Sequence, residues 1–156
     1  MPSIPLIPGS GLRLDHADFL LTDAQIKTLP TIAVPVLTCP PNFILEVVQV
    51  ALLLDPFVAA YTNIDATAKL KAVFTGTAID AVTPLDEATG DVTALLATGS
   101  ATSDQAGAVS PRAMPTASRN GIGLSLKMTN GAAGNLTGGD AAHLLQVRVT
   151  YFFRAT

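Results

Sequence analysis

Hydrophobic and polar positions alternate along four segments of the chain, and a period of two residues is typical of β-strands that bury one face. These segments are residues 32–38, 69–77, 121–128 and 144–153. In the last of them the apolar face consists of Leu145, Val147, Val149, Tyr151 and Phe153. The opposite face consists of Leu144, Gln146, Arg148, Thr150 and Phe152. Four strands of this kind predict a mainly β fold.

A fifth segment, Phe43 to Leu54, is apolar almost without interruption and rich in Ile, Val and Leu. Such a run is typical of a strand that is covered on both faces. We therefore expect this strand to be buried inside the domain on one side and at an interface on the other. Pro56 is expected to end it.

One short helix is predicted before the first of these strands. Thr22 or Asp23 can cap its start, Gln25 follows three residues after Thr22 as in a capping box, and Pro30 stops it. Residues 78–118 are rich in Ala, Thr, Gly, Ser and Asp and are expected to form long surface loops, with a short strand or helical turn at 91–97. The predicted fold is all-β: an antiparallel two-sheet sandwich over residues 12–156, jelly-roll-like, with one short helix.

Residues 1–11 read as an extended arm that precedes this domain. Pro2, Pro5 and Pro8 suppress helix, and Gly9-Ser10-Gly11 forms a flexible joint. The arm is either a frayed terminus or a segment that docks on a neighbouring subunit. Its apolar residues, Ile4, Leu6 and Ile7, need a surface to lie on and favour docking.

Composition adds a reason to expect association. The hydrophobic fraction is 49%, whereas the charged fraction is 13% against a typical value of about 25%. Mean hydropathy is +0.44. A surface with so few charges favours self-association. The apolar residues do not form a membrane span, because Glu46, Gln49, Asp55 and Pro56 interrupt the richest stretch.

Charge and targeting signals narrow the expected partners. The formal net charge is −3 and the nine basic residues are spread thinly, so no direct contact with nucleic acid is expected. The N-terminus has no basic region before its apolar residues, which is atypical of a secretory signal. We expect the chain to be made and assembled in a cytoplasm, without inserting into a membrane.

Candidate catalytic groups are few, and we expect no enzyme, no cofactor and no metal. Asp15-His16 near Ser10 has the residue types of a catalytic triad but no nucleophile elbow. Cys39, the one cysteine, is interpreted as a small buried residue. Asp86, Glu87 and Asp91 lack the spacing of a calcium loop and are interpreted as an exposed acidic loop.

Two segments carry a resemblance to a known class of proteins. Residues 130–151 read N-G-A-A-G-N-L-T-G-G-D-A-A-H-L-L-Q-V-R-V-T-Y, and residues 21–31 read L-T-D-A-Q-I-K-T-L-P-T. Together they resemble small head-associated proteins of tailed bacteriophages, similar in role to capsid decoration or cement proteins. The resemblance implies a homo-oligomer, a trimer rather than a dimer, that sits on the capsid exterior of the virion and clamps neighbouring major capsid proteins. It also implies that Gly138 and Gly139 serve turn geometry and not catalysis.

The expected function is therefore that of a capsid cement subunit. Its contact residues are expected among Ile4, Leu6, Ile7, Phe43, Leu45 and Val47. The alternative is a carbohydrate-binding or receptor-binding sandwich module of a virion fibre or spike, with Tyr61 as its main loop aromatic. A cupin-like metalloenzyme is a third interpretation, but His16 and His143 are too few for its ligand set.

Overall fold

A computed structural model of the chain describes residues 14–54, 59–75, 85–87, 95–97, 102–103, 120–142 and 144–156, with the backbone alone for 85–87 and 102–103. These residues form one α-helix and ten β-strands. In chain order they are β1 (Asp15–Thr22), α1 (Asp23–Thr28), β2 (Val34–Leu37), β3 (Phe43–Leu54), β4 (Tyr61–Thr62), β5 (Lys69–Phe74), β6 (Leu85–Glu87), β7 (Thr102–Ser103), β8 (Leu124–Thr129), β9 (Thr137–Gly138) and β10 (Leu144–Ala155).

The strands pair into two four-stranded antiparallel sheets, ordered β1-β10-β3-β7 and β2-β8-β5-β6, and a small sheet β4-β9. Buried residues of both large sheets belong to one hydrophobic cluster, so the two sheets pack against each other. The all-β, antiparallel prediction with one short helix is confirmed. The apolar face that the alternation defined in β10 is turned toward this cluster, since Leu145, Val147, Val149 and Tyr151 belong to it and Phe153 packs against it.

The strand pairs are nested, as in a long hairpin that has been rolled up. With β4 and β9 set aside, the first strand pairs with the last (β1 with β10), the second with the second-last (β2 with β8), then β3 with β7 and β5 with β6. The roll closes when β10 also pairs with β3 and β8 with β5.

Strands β3 and β10 form the longest pair and hold the centre of the first sheet. On the inner face Leu145, Val147 and Val149 lie opposite Leu54, Leu52 and Val50. The register shifts between Thr150 and Tyr151, so that Val48 is an extra residue in β3. Without this bulge Val47 and Val50, three residues apart, would point to opposite faces; with it both are buried.

The helix α1 begins at the predicted capping box. The backbone N–H of Gln25 donates to Thr22 Oγ1 at 3.4 Å, and the backbone N–H of Thr22 donates to Gln25 Oε1 at 3.0 Å. Ile26 and Leu29 are fully buried in the core cluster. Pro30 follows the C-cap residue Leu29, as the sequence predicted. The helix therefore covers one end of the core with two apolar side chains.

Elements β1, β2, β6 and β7 differ from the sequence-based expectation. β1 lies in a segment for which no strand was predicted, and the predicted strand 32–38 is shortened to β2, where Pro35 is tolerated because β2 is an edge strand. β6 and β7 lie inside the predicted loop region, since pairing with β5 and β3 makes short strands of them. Asp86 and Glu87 are thus strand residues and not part of a loop.

Other expectations for this region lie partly or wholly outside the described residues. Within the predicted segment 91–97, Leu95 and Leu96 form part of a helical turn and are buried in the core cluster. Residues 91–94 and the predicted arm at residues 1–11 fall outside the described ranges.

Candidate functional site

The outer surface of the first large sheet carries exposed apolar side chains. Every second side chain of β1, β10 and β3 points away from the core. Leu20 is 59% exposed, Leu53 38% and Val48 37%. Leu20 lies opposite Gln146, which lies opposite Leu53, so the two leucines share one row across three strands. We define this surface, the front face, by Asp18, Leu20, Glu46, Val48, Leu53, Arg148, Phe152 and Arg154.

Two ion pairs neutralise the charged groups of the front face. Arg148 of β10 lies directly opposite Asp18 of β1 and donates from Nε at 2.7 Å and from Nη2 at 3.0 Å to the two carboxylate oxygens. Arg154 donates to Glu46 Oε1 at 3.2 Å. The hydrogen bonds from Arg148 hold the pKa of Asp18 below its ordinary value. The front face therefore combines apolar side chains with internally balanced charges.

The outer surface of the second large sheet, which we call the rear face and define by Lys69, Lys71, Lys127 and Thr129, is basic. Lys71 of β5 lies directly opposite Lys127 of β8. Like charges at directly opposed positions destabilise a sheet. Strand β6 pairs with β5 on the side away from β8, and its Asp86 lies opposite Lys71 in the register. The two outer surfaces of the sandwich thus differ: the front face carries exposed apolar side chains among polar residues and two ion pairs, and the rear face is rich in lysine.

The structure separates the predicted contact residues into three groups. Leu45 and Val47 are 1% and 5% exposed and belong to the core cluster. This is a correction, because their side chains fill the inside of the sandwich and are closed to a partner. Phe43 is 38% exposed at the end of β3, where its ring packs edge-on against Phe153 with centroids 6.2 Å apart. Ile4, Leu6 and Ile7 lie outside the described residues.

Tyr61, the expected loop aromatic of a carbohydrate-binding module, is a buried residue of β4. It is 1% exposed, and its hydroxyl donates to Asp23 Oδ1 at 3.0 Å. Lys27 donates to the other carboxylate oxygen of Asp23 at 2.7 Å. Burial, followed by the hydrogen bond to the Asp23 carboxylate, raises the pKa of Tyr61. This cluster connects α1 to the small sheet, and Tyr61 has no open surface for stacking on a sugar.

The residue types of a catalytic triad in the sequence are not brought together within the described part of the chain. Asp15 and His16 are neighbours in a strand, so their side chains point to opposite faces of the sheet; Ser10 and His143 lie outside the described residues. Cys39 is buried, and its thiol donates to the Phe43 carbonyl oxygen at 3.2 Å. Asp91, the third residue of the expected acidic loop, also lies outside the described ranges.

Metal-ligand clusters and membrane-spanning helices can each be looked for in the described part of the chain. Among these residues no group of three or more His, Cys, Asp or Glu side chains is placed to hold a metal ion. No helix within the same part of the chain has the length and apolarity that crossing a membrane needs.

Sequence reasoning missed Leu20, Val48 and Leu53 as the exposed apolar residues. The signal for Leu20 was the short alternation of Ala17, Phe19 and Leu21 in β1, which places Leu20 on the outer face. For Val48 and Leu53 the sequence holds no clear signal, since the bulge decides which side chains of the uniformly apolar β3 point outward.

Comparisons with protein-family models, with curated proteins and with solved structures found no match for this chain.

Proposed function

We propose that this chain is a structural subunit of a virion, a capsid decoration or cement protein that self-associates and clamps neighbouring major capsid proteins on the capsid exterior. The observation that carries the proposal is the front face, where Leu20, Val48 and Leu53 are exposed beside neutralised charges. The resemblance of residues 21–31 and 130–151 to phage head-associated proteins gives the proposal its viral context.

The nested strand order supports a jelly-roll sandwich as the framework of this subunit. Jelly rolls contain two Greek keys in eight strands and recur in viral capsid and lectin domains. The eight strands that remain when β4 and β9 are set aside have the pairing that such a roll needs. The lectin reading requires an accessible ring for sugar stacking, and the burial of Tyr61 at 1% exposure weighs against it.

The mechanism of cementing follows from burial of apolar surface. Each contact between subunits removes apolar area from water, which stabilises the assembly by about 25 cal/mol per Å² before the costs of association are subtracted. No covalent chemistry is needed for this role. The arm at residues 1–11 is proposed as a second contact element that reaches a neighbouring subunit or the shell.

The direct test is to find the chain on particles. Virions of the phage that carries this sequence are purified through a density gradient, and their proteins are identified by mass spectrometry. The proposal expects the chain in stoichiometric amounts with the major capsid protein and as density on the outer surface in cryo-electron microscopy. Absence of the chain from such virions would refute a structural role, and density at a fibre tip would favour the receptor-binding alternative, which a glycan array then examines.

A second test separates the arm from the fold. Undecorated heads are mixed with the full chain or with a variant that lacks residues 1–11, and bound protein is measured by co-sedimentation. We expect the deletion to weaken binding to heads much more than it lowers the melting temperature. Equal losses of binding and of stability would mean that the segment belongs to the fold and is no docking arm.

A further inference from the structure

The front face has a charge arrangement that suits a second copy of the same chain. In a two-fold symmetric contact, the same patch is present on both sides, so every charge faces a copy of the same patch. Here each cation already has its carboxylate: Arg148 with Asp18 at 2.7 Å, and Arg154 with Glu46 at 3.2 Å. Bringing two front faces together therefore leaves Arg148, Arg154 and their two carboxylates with a partner on their own subunit.

The rear face has the opposite property. Lys71 and Lys127 lie directly opposite each other and form no described ion pair. Two rear faces brought together about a two-fold axis would add further ammonium groups to a site where two already oppose each other. Like-charge juxtaposition across an interface is strongly unfavourable. With Asp86 opposite Lys71 in the register, the row Asp86–Lys71–Lys127 still has an excess of positive charge, so the front face suits its own copy better than the rear face does.

Three exposed apolar side chains of the front face are available for such a contact. Leu20 and Leu53 lie in one row on either side of Gln146, and Val48 projects from the bulge farther along β3. Rotation about a two-fold axis that lies between the two sheets and parallel to them faces these side chains toward those of the second copy. The Arg148–Asp18 pair lies in the row next to the two leucines, between them and Val48, so the contact would combine apolar side chains with an ion pair that is neutral as a unit.

The size of the front face sets the expected strength of the contact. The face is three strands wide, at about 4.8 Å per strand, and about 30 Å long in the strand direction, which gives a flat area of roughly 400 Å². The uneven surface of the side chains increases the accessible area above this value. A standard interface buries about 800 Å² on each partner, and smaller ones are typical of transient contacts. The area therefore predicts a dimer that dissociates on dilution.

We propose that two copies of this chain join through their front faces, sheet against sheet, about a two-fold axis. The proposal rests on the self-association in the proposed function, for which it names the contact surface and the symmetry. It selects a dimer, whereas the resemblance to phage proteins favours a trimer. The rear face remains open on each subunit.

Sedimentation velocity of the wild-type chain between about 1 and about 200 µM tests the proposal, since micromolar dissociation constants fall in this range. We expect a monomer–dimer equilibrium. In the Leu53→Glu variant, each copy places a carboxylate without a partner in the apolar contact. We expect its dimer dissociation constant to rise about a hundredfold or more. Leu20→Glu serves as a second variant on the edge strand, and far-UV circular dichroism checks that each variant folds.

Two matched controls change exposed residues outside the front face. Ile32 is 60% exposed and lies between α1 and β2, and Lys127 lies on the rear face. Ile32→Glu and Lys127→Glu are expected to leave the dissociation constant unchanged within about twofold. The proposal is overturned by a wild-type monomer at every concentration, by a mass of three chains, or by folded Leu53→Glu and Leu20→Glu variants that dimerise like the wild type.

Binding to undecorated heads, measured on the same proteins, separates this inference from the proposed function. A wild-type chain that binds heads but sediments as a monomer contradicts the front-face dimer and leaves the capsid role standing. A wild-type dimer that Leu53→Glu dissociates, but that does not bind heads, supports the dimer and contradicts the capsid role.

Discussion

Tyr61 donates its hydroxyl to Asp23 across 3.0 Å, and this hydrogen bond connects β4 of the small sheet to the first turn of α1. Lys27, one helical turn farther along, holds the second carboxylate oxygen of Asp23 at 2.7 Å. The carboxylate is thus held from two sides, at the point where the helix and the small sheet close one end of the sandwich. A buried carboxylate needs such partners because an unsatisfied charge in the interior is strongly destabilising.

Replacement of Tyr61 by Phe tests the strength of this connection. The variant keeps the ring in the core but leaves Asp23 Oδ1 without the hydroxyl donor. Hydrogen bonds to charged groups contribute about 2 kcal/mol, so we expect the free energy of unfolding to fall by about that amount in urea denaturation. Thr62→Val is the matched control in the same strand, because the Thr62–Thr137 hydroxyl contact at 2.8 Å is exposed and should contribute less than about 0.5 kcal/mol. Equal effects of the two variants would contradict the role of Tyr61.

The raised pKa of Tyr61 predicts a loss of stability in alkali. In the folded protein burial and Asp23 raise the pKa above the ordinary value of 10.0, so above about pH 10 the unfolded chain releases a proton that the folded chain retains. Unfolding then becomes more favourable as pH rises, by up to about 1.4 kcal/mol per pH unit. Urea midpoints measured between about pH 8 and about pH 11.5 should fall more steeply for the wild type than for Tyr61→Phe. Parallel curves would show that another group causes the decline.

The strands and the helix that the sequence predicted are those whose signals are local. β10 alternates over its whole length, β3 is apolar from Phe43 to Leu54, and the start of α1 has both residues of its capping box within four positions. In these cases the buried face, or the cap, is fixed by residues that are neighbours in the chain. Gly138 and Gly139, to which the resemblance assigned turn geometry, have positive φ.

The features that the sequence did not reveal depend on distant partners. β7 is a strand because Thr102 and Ser103 pair with Leu53 and Leu52, about fifty residues away. The sequence did not reveal the front face for a related reason. The bulge at Val48 sets which residues of β3 point outward, and this bulge arises from pairing with β10. An apolar run alone therefore did not distinguish the core residues Leu45 and Val47 from the exposed Leu53.

Asn130 organises the loop between β8 and β9, and its replacement should be costly. Its Nδ2 donates to the carbonyl oxygens of Asn63 at 2.8 Å and Gly134 at 2.6 Å, while its Oδ1 accepts from the backbone N–H of Asp65 at 2.8 Å. Asn130→Asp replaces the donor by an oxygen that faces two carbonyls, so we expect a loss of about 3 kcal/mol of unfolding free energy. Calorimetry or urea denaturation at neutral pH measures it.

Asn135→Asp is the matched control for this loop. Asn135 is exposed and its Oδ1 accepts from the Thr31 hydroxyl at 2.7 Å, a hydrogen bond that a carboxylate can also accept. The expected change is within about 0.5 kcal/mol. A large effect at Asn135, or a small one at Asn130, would contradict the assignment of the three Asn130 hydrogen bonds as the centre of the loop.

Gly139 and Gly134 form a matched pair for testing close packing beside Tyr61. Both have positive φ, +70° and +73°, so alanine is strained at either position. A methyl group at Gly134 meets open space, and the backbone strain of about 1 kcal/mol is the whole expected effect. At Gly139 the methyl group would also overlap the Tyr61 ring and lie 2.6 Å from Asp23 Oδ1. Gly139→Ala should therefore destabilise the fold by about 2–4 kcal/mol, measured by urea denaturation, and the difference between the two variants isolates the packing contribution. Suppose instead that both alanine variants lose the same free energy of unfolding. The turn at Gly139 then relaxes away from Tyr61, and the contact between Gly139 and the Asp23–Tyr61 pair is looser than the distances indicate.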